Sequence, residues 1–149
     1  MINALPVKDK DKWETPDHIF DKLNKEFHFT LDPCCEIHTA KCKKFYTIED
    51  NGLNKNWQGE IVFCNPPYSS GNIDKWIKKC YEESLKPKTT VVALTAVSGS
   101  AKWWHSYVIN RAEKRYIERR VKFIGARYTA PFSSVILVFG GSGIKSFSQ

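Results

Sequence analysis

The sequence predicts an α/β fold: one compact domain with a mostly parallel central sheet, an antiparallel last strand, and helices on both faces. Three observations carry this. Continuous apolar runs, Ile61-Val62-Phe63 and Thr89 to Val97, read as strands buried on both faces. Segments with apolar residues at helical spacing lie between the strands, as in βαβ units. The last two strands are separated by Arg119–Ser133, which has no helical pattern, so the final strand is expected to return antiparallel.

Taken in order, residues 1–12 are polar, with Lys8-Asp9-Lys10-Asp11-Lys12 alternating in sign, and read as a flexible arm. The folded domain is expected over 13–141. Thr15 is placed as an N-cap with Pro16 at the first helical position. Ile19, Phe20, Leu23 and Phe27 follow on one face of that helix. Phe29 to Cys35 reads as a strand ending in Asp32, the position at which an open α/β sheet places ligand contacts. Lys44-Phe45-Tyr46-Thr47 is a short strand, and Glu49-Asp50-Asn51-Gly52-Leu53 a turn with paired acids. The central strand runs from Glu60 to Cys64. A helix from Asp74 buries Ile73, Trp76, Ile77, Cys80 and Tyr81, and Pro87 closes it. Lys102 to Ala112 is expected to be helical. Arg115 to Glu118 and Ser134 to Phe139 are strands, and 142–149 a weakly structured tail.

Neither a run of about 18 apolar residues nor a charged-then-apolar leader is present, so the expected location is cytoplasmic. Five cysteines, two of them adjacent at Cys34-Cys35, argue for reduced thiols and against a disulfide framework. The net charge of +7 is local: residues 102–127 hold Lys102, Arg111, Lys114, Arg115, Arg119, Arg120, Lys122 and Arg127 against Glu113 and Glu118. Residues 1–101 balance to zero. A concentrated basic patch is the footprint of a polyanion partner. The alternative is a solvated basic face without a ligand.

The chemistry centres on Phe63-Cys64-Asn65-Pro66-Pro67-Tyr68. Two prolines stop the strand and stiffen the chain into a turn. That turn presents a side-chain amide, carbonyls and an aromatic ring. The Asn65 oxygen and the Pro66 carbonyl can each accept one hydrogen of an –NH2 group, and the Tyr68 ring can stack on the plane that carries it. Accepting both hydrogens draws the nitrogen towards sp3 and frees its lone pair for attack on a sulfonium methyl. No glycine-rich phosphate loop of either common type occurs. Cys34, Cys35, His38 and Cys42 lack zinc-finger spacing, so no metal is expected. Pro33-Cys34 lies in the wrong turn for the nucleophile of cytosine-C5 methylation, and His18 and His105 have no evident triad partners.

The strand-Asn-Pro-Pro-Tyr unit resembles motif IV of amino-group methyltransferases that use S-adenosylmethionine (AdoMet). The wider pattern resembles the bacteriophage-type N6-adenine DNA methyltransferase (Dam-like) family. The matching stretches are Trp13-Glu14-Thr15-Pro16, Phe29 to Asp32, Lys41-Cys42, Phe45 to Thr47, Asp50 to Leu53, Trp57, Phe63 to Ser69, Trp103-Trp104-His105, Arg120 to Phe123 and Ala130-Pro131-Phe132. They extend over about residues 13–140.

The resemblance implies a Rossmann-like AdoMet-dependent fold and methyl transfer to adenine N6 in double-stranded DNA, with the base flipped out of the stack. It implies catalytic roles for Asn65, Pro66, Pro67 and Tyr68, and cofactor contacts from Thr15, Pro16, Asp32, Pro33, Asp50 and Asn65. Glu49 is a candidate for the ribose. Ser69, Lys102, Arg111, Arg115, Arg119, Arg120, Lys122 and Arg127 are expected to meet DNA, with Ser69–Asn72 and Arg119–Thr129 reading sequence. A bacteriophage origin would put the enzyme in the bacterial host cytoplasm, as a monomer or weak homodimer. One departure stands out: Asp32 is followed by Pro33-Cys34-Cys35-Glu36, without the glycines usual after this acid. The other readings are an amino methyltransferase acting on RNA, cytosine N4 or protein glutamine, and a non-catalytic basic DNA-binding module.

Overall fold

The computed structural model describes residues 13–140, so the expected arm over 1–12 and tail over 142–149 lie outside the described residues. Six strands form one sheet in the order β2-β1-β3-β4-β6-β5. They are β1 (Leu31–Asp32), β2 (Lys44–Phe45), β3 (Ile61–Cys64), β4 (Thr90–Ala96), β5 (Glu113–Tyr116) and β6 (Ser134–Gly140). The pairs β1–β2, β1–β3 and β3–β4 are parallel, whereas β6 runs antiparallel to both β4 and β5. The expected antiparallel last strand is therefore present, inserted between β4 and β5.

Alternation along the inner strands divides the core into two layers. Val62, Val91, Ala93, Leu137 and Phe139 face α2 (Ile73–Ser84) and α3 (Lys102–Tyr107). Phe63, Val92, Leu94, Ile136 and Val138 face α1 (Asp17–Phe27). Helices thus cover both faces. The segment between β5 and β6 shares the α1 face, where Val121, Phe123 and Ala130 join the core. It pairs back on the chain's beginning through Glu14 N–H to Ile124 O (3.1 Å) and Ile124 N–H to Glu14 O (3.0 Å).

Two local expectations are corrected. Thr15 does not cap α1: Pro16 occupies the cap position, and no side chain bonds the free amides. Thr15 is instead buried against the cleft described below. The helix expected over 102–112 stops at Tyr107, because the chain turns through Asn110 at φ 63° to reach β5. No helix among the described residues is long and apolar enough to cross a membrane.

Candidate active site

Three strand ends, β1, β2 and β3, open onto a cleft of about 1140 Å³. Trp13 to Thr15, Asp32 to Thr39, the turn from Thr47 to Gly52, and Asn65 with Pro67 line it. The sequence-predicted residues Thr15, Asp32, Pro33, Asp50 and Asn65 therefore meet on one surface. Pro16 and Pro66 are buried beside it.

Asp32 is 3% exposed. Its carboxylate accepts Cys34 N–H at 3.3 Å and Lys41 N–H at 3.0 Å. Burial outweighs these bonds and pushes its pKa up to about 6. The nearby Lys41 ammonium is turned away, bonding Glu14 (3.1 Å) and Asp17 (3.5 Å). Among the described residues no cation contacts the Asp32 carboxylate.

Asp50 is exposed. It accepts the Thr47 amide at 2.9 Å, which holds its carboxyl below the usual range and fixes the turn 47–50. Glu49 accepts the Thr47 hydroxyl at 3.1 Å and also faces the cleft. Ile37 and Ile48, 76% and 60% exposed, project from the two loops of the cleft.

Asn65 donates its Nδ2–H to Trp13 O at 2.8 Å. The amide nitrogen is thereby committed inward, and Oδ1 is the atom left to accept. Tyr68 donates its hydroxyl to Leu94 O at 2.8 Å, and its ring packs edge-to-face against Phe123 (5.9 Å) and Phe132 (5.7 Å). Trp13 stacks on Phe123 at 5.4 Å. Four aromatic rings thus tie the chain's beginning, the Asn-Pro-Pro-Tyr turn and the β5–β6 connection together. Phe123 and Phe132 lie in two of the stretches that carry the resemblance, but their packing on Tyr68 could not be read from aromatic spacing.

The candidate DNA contacts divide. Lys102, Arg119, Arg120, Lys122 and Arg127 are exposed. Arg111 bonds Ser106 O and the Tyr81 hydroxyl and lies over the Tyr81 ring. Arg115 forms a two-pronged pair with Glu26, also bonds Glu113, and covers Phe27. Ser69 is buried, accepting Asn72 Nδ2–H at 2.9 Å, and its carbonyl receives the first amides of α2. Arg111, Arg115 and Ser69 are engaged within the fold.

Sequence reading missed two struts of the cleft. Gly52 lies against Pro33, and Trp57 donates its indole N–H to Gly52 O at 3.1 Å. Buried Glu83 accepts Trp57 N–H at 2.6 Å and pairs with Lys79 and Lys86. Among the described residues no three His, Cys, Asp or Glu converge as a metal site. Burial pushes the Cys42 thiol up to about 12 and Cys35 higher still, which disfavours thiolate chemistry.

A sheet of this order, with β6 inserted antiparallel and a Pro-Pro turn beside a strand-end cleft, defines a Rossmann-like methyltransferase fold. The DNA N-6-adenine-methyltransferase (Dam) family profile matches residues 3–136. The chain belongs to that family of adenine-specific DNA methyltransferases. It is 40% identical over 119 residues to the DNA N-6-adenine-methyltransferase of Haemophilus phage HP1 (strain HP1c1), covering 78% of this chain and 68% of that protein. It is 30% identical over 111 residues to the DNA N-6-adenine-methyltransferase of Escherichia phage T1, covering 73% of this chain and 45% of that protein.

Proposed function

We propose that the protein transfers a methyl group from AdoMet to N6 of adenine in double-stranded DNA, with the adenine flipped to the Asn65–Tyr68 turn. The observation that carries the site assignment is the Asn65–Trp13 hydrogen bond. It orients the amide so that an acceptor oxygen, not a donor, is left for the substrate amine.

The cleft fits the cofactor on its own chemistry. Asp32 is a carboxyl whose pKa burial raises to about 6, and an α-ammonium group would give its charged form a partner. Glu49 and Asp50 offer acceptors for ribose hydroxyls and the amino group of a purine. Ile37 and Ile48 offer apolar contact to the purine ring. When bound, AdoMet supplies an electrophilic methyl on a sulfonium.

The protein's part is positioning and proton handling. Asn65 Oδ1 and the Pro66 carbonyl accept the two amine hydrogens and expose the N6 lone pair. As the N–CH3 bond would form, the S–CH3 bond would break with its electron pair left on sulfur as a neutral thioether, and the surplus amine proton would pass to solvent water. Holding the two reactants in line supplies most of the rate. Lys102, Arg119, Arg120, Lys122 and Arg127 hold phosphates, giving affinity that falls with salt.

Incubation with tritiated AdoMet and duplex DNA, followed by nucleoside analysis, should place label in N6-methyladenine. Label in N4-methylcytosine, RNA or protein would refute the adenine assignment. Asn65→Ala should lower transfer at least a hundredfold while AdoMet still binds; full activity would remove the clamp.

A further inference from the structure

The Asn65–Tyr68 turn has two sides. The cleft with Asp32 lies on one. At the C-terminal end of β4 is a separate hollow of about 280 Å³, lined by Tyr68, Ser70, Ile73, Thr95, Ser98 and Trp103 among others. Thr95 follows Val91 and Ala93 in the alternation of β4, which places its side chain on the α2/α3 face with Ile73.

Thr95 is 1% exposed, and its hydroxyl has no hydrogen-bond partner among the described residues. A buried hydroxyl left unpaired destabilises the fold. Valine would fill the same space without that cost, so packing does not explain threonine here. A ligand in the adjoining hollow would explain it. The walls are of the right kind for a planar heterocycle: two aromatic side chains, Tyr68 and Trp103, with hydroxyls from Ser70 and Ser98.

We infer that this hollow seats the target base, with Thr95 donating its hydroxyl hydrogen to a ring nitrogen of adenine and Trp103 packing against the purine. The inference rests on the methyltransferase reading above and names the residues that choose the base. The larger cleft, which Asn65 lines, then takes the cofactor, and Tyr68 of the same turn lines the hollow that takes the base. Adenine suits a lone hydroxyl donor, since its ring nitrogens N1, N3 and N7 are all acceptors. Guanine presents an N–H at N1 instead.

Thr95→Val tests this, because it removes the hydroxyl and keeps the volume. On a duplex carrying a site that the wild type methylates, Thr95→Val should lower kcat/KM about tenfold, the worth of one hydrogen bond. AdoMet affinity by calorimetry should stay unchanged, and Thr95→Ser should restore activity. Substrates with 1-deaza-, 3-deaza- or 7-deazaadenine at the target identify the acceptor. One of them should cost the wild type the same factor and cost Thr95→Val nothing further. Because the hydroxyl is unpaired without DNA, Thr95→Val should melt no lower than the wild type. Equal kcat/KM for Thr95→Val and wild type, or losses additive with every analogue, would overturn the assignment of Thr95. Absence of any transfer to DNA by the wild type would overturn the functional reading beneath it.

Discussion

Gly52 lies so close to Pro33 that a Cβ added to it would fall 2.2 Å from the Pro33 carbonyl oxygen. The two residues belong to different loops of the cleft, and their contact holds those loops together. The obstacle is backbone, which cannot swing aside as a long side chain can. The Trp57 indole, bonded to Gly52 O, keeps the turn from backing away. Gly52→Ala should therefore destabilise the protein by about 1–3 kcal/mol, as overpacking does, and weaken AdoMet binding at least tenfold. Thermal melting and calorimetry measure both; unchanged values would mean that the loops move freely.

If Asp32 meets the ammonium group of AdoMet as proposed, AdoMet affinity should depend on pH. Its pKa is raised by burial to about 6, so below that pH the carboxyl is neutral and offers no charge to an ammonium group. AdoMet affinity should rise as pH increases from 5 to 7 and then level off. In the free protein the sign is opposite. A raised acid pKa means the native state holds its proton longer, so the Asp32 contribution to stability is greatest in acid and is lost between about pH 4 and 6. Asp32→Asn should bind AdoMet weakly and without this pH dependence. A wild-type affinity that is flat from pH 5 to 7 would show that no cation meets Asp32.

These two residues mark where sequence reading succeeds and where it stops. Asp32 was legible because an acid ending a strand is a local pattern. So were β3, β4 and β6, whose apolar runs admit only a doubly covered strand, and the antiparallel return of β6. The glycine expected after Asp32 was absent, and the close backbone approach occurs instead across the cleft at Gly52, 20 residues on. Nothing local distinguishes Gly52 from any turn glycine. The charge excess over 102–127 was visible, but Arg115 finds Glu26 at a separation of 89 residues, which only the fold reveals. Thr15 carried a cap signature and serves the cleft wall instead.

Glu83 anchors the same region from beneath. It is buried, accepts Trp57 N–H, and pairs with Lys79 and Lys86, which together hold its carboxyl below the usual range. A depressed acid pKa gives stability that is present above the unfolded value and lost as pH falls through the folded one. Glu83→Gln should cost about 3 kcal/mol at pH 7, since it removes the carboxylate that Lys79 and Lys86 share and weakens the bond to Trp57. The gap between variant and wild type should narrow as pH falls below 4.5, the ordinary glutamate value. Melting curves at pH 7 and 3.5 test this, and an equal gap at both would show that charge is not the cause.

The basic segment should behave as two populations. Arg115 is neutralised by Glu26 and Glu113 and shields Phe27, so Arg115→Ala should lower the melting temperature and leave the salt dependence of DNA binding intact. Arg120 and Lys122 are exposed on the connection that also supplies Phe123 to the aromatic cluster. Arg120→Ala and Lys122→Ala should each weaken binding to any duplex and reduce the slope of log K against log salt by about one, with little change in melting. Binding isotherms between 50 and 200 mM salt separate the cases. If Arg115→Ala flattens the slope as much as Arg120→Ala does, the Glu26 pair opens on DNA and Arg115 belongs to the binding face. If none of the three changes it, the phosphates lie elsewhere, and Lys102 and Arg127, at the two ends of the segment, are the next to replace.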